Sequence, residues 1–259
     1  MGLFGRKKKN LKQVAFDFND KYESLHSLGK YEEAIACCDE AIALDPKHYL
    51  AWLNKGNSLI KLGKNEEAIA CYDEVIRLDP EYHSAWINKG TILDVLGKYE
   101  EAIACYDEVI RFWPEFYIAW TSKGKILDAM GKYEEAIACY DKVIAFEDSC
   151  HSESALFGKG TTLFRLERYE EAIASYDEAI RLHNPGAFTS IDLYSVLNSK
   201  GIVLDALGKY EEAIACYDVV NMAVPEYLEG WNLKGQALKE LGRDKEAEEC
   251  FVKAKELEE

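Results

Sequence analysis

Apolar positions in this chain recur with a helical period, and the helical segments come in pairs. The stretch Ala51-Trp52-Leu53-Asn54-Lys55-Gly56-Asn57-Ser58-Leu59-Ile60-Lys61-Leu62 places Trp52, Leu59 and Leu62 on one face of a helix. After Gly63, a second segment carries Ile69, Tyr72, Val75 and Ile76 as another single stripe. A glycine between the two predicts a left-handed residue that ends the first helix. Glu66 and Glu67 fall in the first turn of the second helix, where acidic side chains suit the helix dipole. Asp79-Pro80 then stops it, because proline cannot continue a helix. The unit is a helix, a tight turn, a second helix and a proline stop.

This unit repeats. Leu-Gly-Lys-Tyr-Glu-Glu-Ala-Ile-Ala-Cys returns nearly verbatim with its glycine at Gly29, Gly63, Gly97, Gly131, Gly208 and Gly242, and a seventh copy has Glu167 in that place. The steps between these anchors are 34, 34, 34, 36, 41 and 34 residues. A large first-helix residue recurs as Phe18, Trp52, Trp86, Trp120, Leu156, Leu197 and Trp231, and a small one four residues on as Gly56, Gly90, Gly124, Gly160, Gly201 and Gly235. Ala34, Ala68, Ala102, Ala136, Ala172, Ala213 and Ala247 mark the second helices. Gly56 and Ala68 predict close helix approach, with Trp52 and Tyr72 filling the space beside them. On that reading truncating a tryptophan such as Trp86 removes a buried aromatic, at a cost of ~3–5 kcal/mol.

Two breaks interrupt the frame. Two extra residues fall within 146–153, and seven within 184–197. Seven residues are about two helical turns, so they either lengthen the sixth copy's first helix, with Ser190 as its N-cap, or widen a loop.

Tryptophan, glycine four residues later, Leu-Gly, tyrosine, alanine, tyrosine and proline on this frame resemble the tetratricopeptide repeat. The likeness covers residues 14–259, as one domain behind a basic flexible tail of residues 1–13. It implies an all-α fold, a right-handed superhelical solenoid of seven helix–turn–helix units. The Asn-Lys-Gly-x-x-Leu phrasing is similar to repeats of prokaryotic and archaeal arrays.

Composition narrows the class. The 259 residues are 48% hydrophobic and 30% charged, with a formal net charge of −16. No apolar run approaches the ~18 residues a membrane helix needs. So acidic a surface disfavours nucleic acid, whose phosphates it repels. The exception is the start of the chain, with Arg6, Lys7, Lys8, Lys9 and Lys12. This segment reads as a solvated tail, or as a weak contact to a membrane surface or anionic partner through residues 1–12.

Of eight cysteines, Cys37, Cys71, Cys105 and Cys139 stand 34 residues apart, and Cys216 and Cys250 repeat the step. Equivalent places in a stack are separated by far more than the ~7 Å that a disulfide tolerates. They read as small buried residues in a reducing, cytoplasmic compartment. Cys38 and Cys150 lie outside this ladder and are candidates for reactivity.

Catalytic patterns are weak. Gly158-Lys159-Gly160-Thr161-Thr162 lacks the spacing of a phosphate loop, and its equivalents lie in mid-helix. The five histidines are scattered, with neither His-Glu-x-x-His nor Cys-x-x-Cys. No cofactor or metal is expected, and no enzyme. Asp39, Asp73, Asp107, Asp141, Asp177 and Asp218 are as periodic as Lys55, Lys89, Lys123, Lys159, Lys200 and Lys234, which predicts that each aspartate pairs with a lysine to hold the stack.

The resemblance implies a concave groove lined by first helices, so recognition belongs to first-helix positions that differ between copies. Carried over, these are Leu53, Asn54, Asn57, Ile87, Asn88, Thr91 and Asp94, then Ser122, Lys125 and Asp128. Further along they are Phe157, Phe164, Arg165, Asn198 and Asp205. Asparagines can bond a peptide backbone without reading its sequence, and the aspartates favour a cationic ligand. The family's carboxylate clamp for chaperone C-terminal tails is not expected. Leu53, Ile118 and Ser122 stand where its cations belong, and a carboxylate needs such partners. The expected function is a non-catalytic scaffold holding a basic and apolar peptide segment of a protein partner. The alternative is a self-assembling scaffold, a homo-oligomer tethered through its basic tail.

Overall fold

The computed structural model describes residues 11–146, 149–183 and 192–258. Among them all regular structure is helical, in fourteen helices. A first compact unit, ending at Pro114, holds three hairpins. These are α1 (Leu11–Ser27) with α2 (Tyr31–Leu44), α3 (Tyr49–Lys61) with α4 (Asn65–Leu78), and α5 (His83–Val95) with α6 (Tyr99–Phe112). The second unit, from Glu115, holds four. They are α7 (Tyr117–Ala129) with α8 (Tyr133–Ile144), α9 (Ser149–Arg165) with α10 (Tyr169–Leu182), α11 (Leu193–Ala206) with α12 (Tyr210–Ala223), and α13 (Leu228–Glu240) with α14 (Asp244–Glu256). Within each unit every helix packs on the helix before and after it, and in the second unit α7, α9, α11 and α13 also touch in succession.

The turn inside each hairpin is the one the glycines predict. Gly29, Gly63, Gly97, Gly131, Gly208 and Gly242 all sit at φ between 72° and 75°. At Gly97 the amide donates to the Asp94 carbonyl at 2.9 Å, and the next amide, of Lys98, reaches back to Leu93 at 2.8 Å. Glu167 is driven into the same conformation, at φ 59°, with Glu167 N–H donating to Phe164 at 2.9 Å and Arg168 N–H to Leu163 at 3.0 Å. It is the one non-glycine residue with positive φ among the described residues, a conformation that costs a side-chain-bearing residue about 1–2 kcal/mol.

Each hairpin closes around a buried aromatic. A Cβ at Gly56 would lie 2.8 Å from the Tyr72 ring, so only glycine lets α3 rest on that ring. The same match joins Gly160 to Tyr176, Gly201 to Tyr217 and, in the last copy, Gly235 to Phe251. Tyr72, Tyr106, Tyr140, Tyr176 and Tyr217 are fully buried, as are Ala34, Ala68, Ala102, Ala136, Ala172 and Ala213. The tryptophans differ from the expected buried filler. Trp52 and Trp86 are only half-buried, and each is fixed by its polar edge. Trp52 Nε1 donates to the Pro46 carbonyl at 3.1 Å, Trp86 to Pro80 at 2.9 Å and Trp231 to Pro225 at 2.8 Å. The tryptophan thus ties its helix to the proline turn that ends the preceding hairpin.

Successive hairpins are pinned by the expected ion pairs. Lys55–Asp39 and Lys159–Asp141 stand at 2.6 Å, and Lys89–Asp73, Lys200–Asp177 and Lys234–Asp218 at 2.5 Å. Each joins a second helix to the first helix of the next copy.

The irregular stretches resolve in two ways. The two extra residues near 146–153 enter α9, which starts one turn early and runs 17 residues while α8 shortens to 12. The longer insertion does not extend α11. That helix begins at Leu193 and is capped by Asp192, whose side chain accepts from Tyr194 N–H, so Ser190 is not its N-cap. Residues 184–191 lie outside the described part, as does the basic stretch 1–10. Helix α1 starts at Leu11, so residues 11–13, expected in the tail, are helical.

The ladder cysteines and Cys38 are buried and unbridged. Burial pushes the Cys38 thiol up to about 12 and those of Cys71 and Cys105 to about 11. So little thiolate forms at neutral pH that Cys38 is not the reactive site its position suggested. The Cys150 side chain is outside the described part. Among the described residues no helix is long and apolar enough to cross a membrane.

Candidate functional site

In the first unit the expected recognition residues fall on α3 and α5. Asn54, Asn57, Ile87, Asn88 and Asp94 are half-buried, and Thr91 is exposed. Leu53 departs from its expected place. It is 8% exposed and packs in the core with Leu59, Tyr72 and Val75, so it presents no surface to a ligand. Asn57 and Asn88 are brought together. The Asn57 Oδ1 accepts from the Tyr72 hydroxyl at 2.7 Å and from Asn88 Nδ2 at 3.1 Å. These amides therefore join neighbouring copies to each other, with only their remaining donors and acceptors left for a peptide. Thr91 bonds its own helix, donating to the Ile87 carbonyl at 2.9 Å, and stands 3.4 Å from the Tyr106 hydroxyl.

The second unit has a different chemistry on its first helices. Ser122 is half-buried and Lys125 exposed. Asp128, near the end of α7, accepts from Arg165 Nη1 at 2.6 Å and from the Thr162 hydroxyl at 2.9 Å, so α7 and α9 share an ion pair. Phe157 lies against Tyr176 with ring centroids 6.0 Å apart, and Phe164 against Tyr169 at 5.8 Å. Asn198 is buried, at 8% exposure. Asp205 accepts from the Tyr217 hydroxyl at 2.7 Å. Burial raises the Asp205 carboxyl above its ordinary range, more than the tyrosine bond lowers it, and holds the Tyr217 hydroxyl protonated.

A common device emerges. In four of the five buried second-helix tyrosines the hydroxyl meets a first-helix polar group: Tyr72 with Asn57, Tyr106 with Thr91, Tyr176 with Thr161 and Tyr217 with Asp205. The varying first-helix positions are thus set on rigid posts. Thr162, fully buried beneath Asp128, escaped the sequence reading. Its signal was present, since it stands where other copies carry Ile92, Ile126 and Val203.

Helical hairpins repeated on one frame and closed around buried aromatics define a helical-repeat protein. Tetratricopeptide-repeat family models match residues 23–48, 53–116, 87–149, 121–187, 194–218 and 228–259. The chain belongs to the tetratricopeptide repeat family. Among solved structures, a tetratricopeptide repeat protein from Parabacteroides merdae is similar, with TM-score 0.69 and 18% identity over 95% of this chain and 93% of its own. MamA protein matches with TM-score 0.60 and 23% identity over 69% of this chain and 93% of its own. YrrB, described as a tetratricopeptide protein with an unusual peptide-binding site, matches with TM-score 0.59 and 19% identity over 78% and 97%. No curated protein sequence matches significantly.

Proposed function

We propose that this protein is a non-catalytic adaptor whose first helices hold a basic and apolar peptide segment of a protein partner. One observation carries the reading. The apolar second-helix positions that repeat, such as Ala68, Cys71 and Tyr72, are buried, whereas the first-helix residues Asn54, Ile87, Asp94, Phe157 and Phe164, which differ between copies, retain exposed surface. An apolar residue beside an aspartate suits a segment in which apolar and cationic residues alternate. The overall charge of −16 favours such a segment in the encounter. YrrB, with the same fold, is described by its peptide-binding site. Free buried cysteines fit a reducing, cytoplasmic setting. The test is a fluorescence titration with an extended lysine–leucine alternating peptide and its glutamate–leucine counterpart. The basic peptide should bind more tightly, and Ile87→Ala with Asp94→Asn should weaken it; equal binding of the two peptides would refute the proposal.

A second reading, self-assembly, rests on α12. Helices α4, α6 and α10 carry an outward ion pair, Glu74–Arg77 at 2.8 Å, Glu108–Arg111 at 2.5 Å, and Glu178–Arg181. In α12 the same two places are Val219 and Met222, 42% and 79% exposed. Val219→Glu with Met222→Arg should abolish concentration-dependent light scattering if copies join there. A wild type that stays monomeric at both low and high concentration leaves the adaptor reading alone.

A further inference from the structure

The junction of α11, α12 and α13 departs from that of the second hairpin in a way that leaves a hole with chemistry in it. In the second hairpin the equivalent place is filled by hydrocarbon. Leu53 and Leu50 of α3 pack in the core with Tyr49 and Tyr82, whose ring centroids are 5.2 Å apart. Counted back from the anchor glycines Gly63 and Gly208, Leu50 and Leu53 correspond to Ser195 and Asn198. Tyr49 corresponds to Tyr194, and Tyr82, counted from Gly97, to Tyr227, counted from Gly242. The two aromatics are kept, and both leucines between them are exchanged for short polar residues. A cavity of about 110 Å³ results, lined by Tyr194, Ser195, Asn198, Val220, Val224 and Tyr227. Asp192 also lines it, and Asp192 and Ser195, both exposed, form its mouth.

Hydrogen bonding fixes which way Asn198 points. The Tyr227 hydroxyl donates its proton to Glu229 Oε2 at 2.7 Å, so toward Asn198 it can only accept. Asn198 Nδ2 supplies that donor at 3.3 Å. The carbonyl, Oδ1, is then left buried and without a partner, on a residue 8% exposed. A buried orphan acceptor costs about 1–3 kcal/mol, a cost that leucine at this place would avoid. Asn198, Ser195 and the two tyrosines line the hole with uncharged polar groups, and among the described lining residues the Asp192 carboxylate is the one charged group, so the site suits a cation.

We propose that this cavity is a pocket for one cationic side chain, a lysine or arginine, of the bound peptide. The ammonium or guanidinium donates to Asn198 Oδ1 and is neutralised by Asp192, while its methylene stem lies between Tyr194 and Tyr227 as long cationic side chains do on apolar surface. This deepens the adaptor reading and rests on it for the peptide, but the pocket itself can be probed without one.

Two arms separate the two ideas. In the first, n-butylammonium, the tip of a lysine, is titrated onto the full chain while the side-chain amide resonance of Asn198 is followed by NMR; that resonance is assigned by its loss in Asn198→Leu. It should shift saturably, and n-butanol should leave it unmoved. In the second, the lysine–leucine peptide is titrated onto wild type and Asn198→Leu. The variant restores the hydrocarbon of the second hairpin and should unfold at the same or a higher temperature, yet bind about tenfold more weakly or worse, the loss expected when a hydrogen bond to a charged group is removed. A peptide with norleucine for lysine should not distinguish the two proteins. An amide that ignores n-butylammonium, or equal binding of the lysine peptide by both proteins, overturns the pocket. A shifting amide with no peptide binding by wild type leaves the pocket standing and refutes the adaptor reading instead.

Discussion

Tyr72 and Asn57 face each other across the two helices of one hairpin, the tyrosine hydroxyl donating to the amide oxygen at 2.7 Å. The same oxygen takes a proton from Asn88 on the next hairpin, so one side chain closes its own unit and links it to its neighbour. Tyr72→Phe keeps the ring against Gly56 and removes only the donor. It should lower stability by about 1 kcal/mol, read by urea unfolding. A loss several times larger would mean that the hydroxyl supports more than this one contact.

Glu167 is the misfit of the glycine series. Glu167→Gly keeps the turn and removes the side chain from a left-handed residue, and should raise stability by about 1 kcal/mol. The gain falls short of the full strain because glycine also frees the unfolded chain. Thermal unfolding of the pair decides it, and a destabilised variant would contradict the strain argument.

The tyrosine and tryptophan ladders should respond unequally. Tyr106 is fully buried and Trp86 only half-buried. Tyr106→Ala therefore falls in the ~3–5 kcal/mol range for a buried aromatic, and Trp86→Ala below it. In a linear array the tyrosine loss should also split the unfolding transition. Calorimetry shows both effects; a costlier tryptophan would reverse the assignment of core and tie.

Asp205 gives the fold a pH dependence of definite sign. Burial raises its carboxyl above the unfolded value of about 3.9, so the folded chain keeps the proton to higher pH than the unfolded one does. Ionisation then weakens the fold as pH climbs through the raised value, and protonation relieves that loss as pH falls. Asp205→Asn should be more stable than wild type at pH 7, with the gap narrowing toward pH ~4. A gap independent of pH would exclude Asp205 as its source.

Lys89–Asp73 is one of the repeated pins, with the lysine side chain 21% and the aspartate 51% exposed. A pair so open to water contributes ~0.2–1 kcal/mol. Lys89→Ala should cost that much in stability, more at low salt than at high, and leave peptide affinity unchanged. Weakened binding with intact stability would move the pair from the stack to the site.

Much of what depends on periodicity was legible in the sequence, although the equally periodic tryptophans proved to be ties and not core. The helices, the left-handed glycines, the buried cysteines and the lysine–aspartate pairs all recur, and a contact needed at every joint leaves the same residues at every joint. What it concealed was local. A first helix buries surface against its own partner and against the hairpins on either side, so apolar spacing alone could not separate Leu53, in the core, from Ile87, at the surface. Asn57 and Asn88 read as free amides, because the bond between them spans 31 residues. Asn198 read as a surface residue, although its place in the frame is that of Leu53, which packs inside.

Near-identical joints carry a hazard of another kind. Where hairpins offer their neighbours the same lysine and aspartate, nothing in those contacts says which hairpin should come next. A nascent stack could skip a unit, or accept one from another chain, at little cost in energy. The joint between the α7–α8 and α9–α10 hairpins is labelled differently. Arg165 meets Asp128 at 2.6 Å and Arg168 meets Glu134 at 3.2 Å, in addition to the common Lys159–Asp141 pair. A hairpin docked out of turn forfeits both arginine contacts. These two side chains thus act as an address for that joint, as the Asn57–Asn88 bond does for the one between α3 and α5.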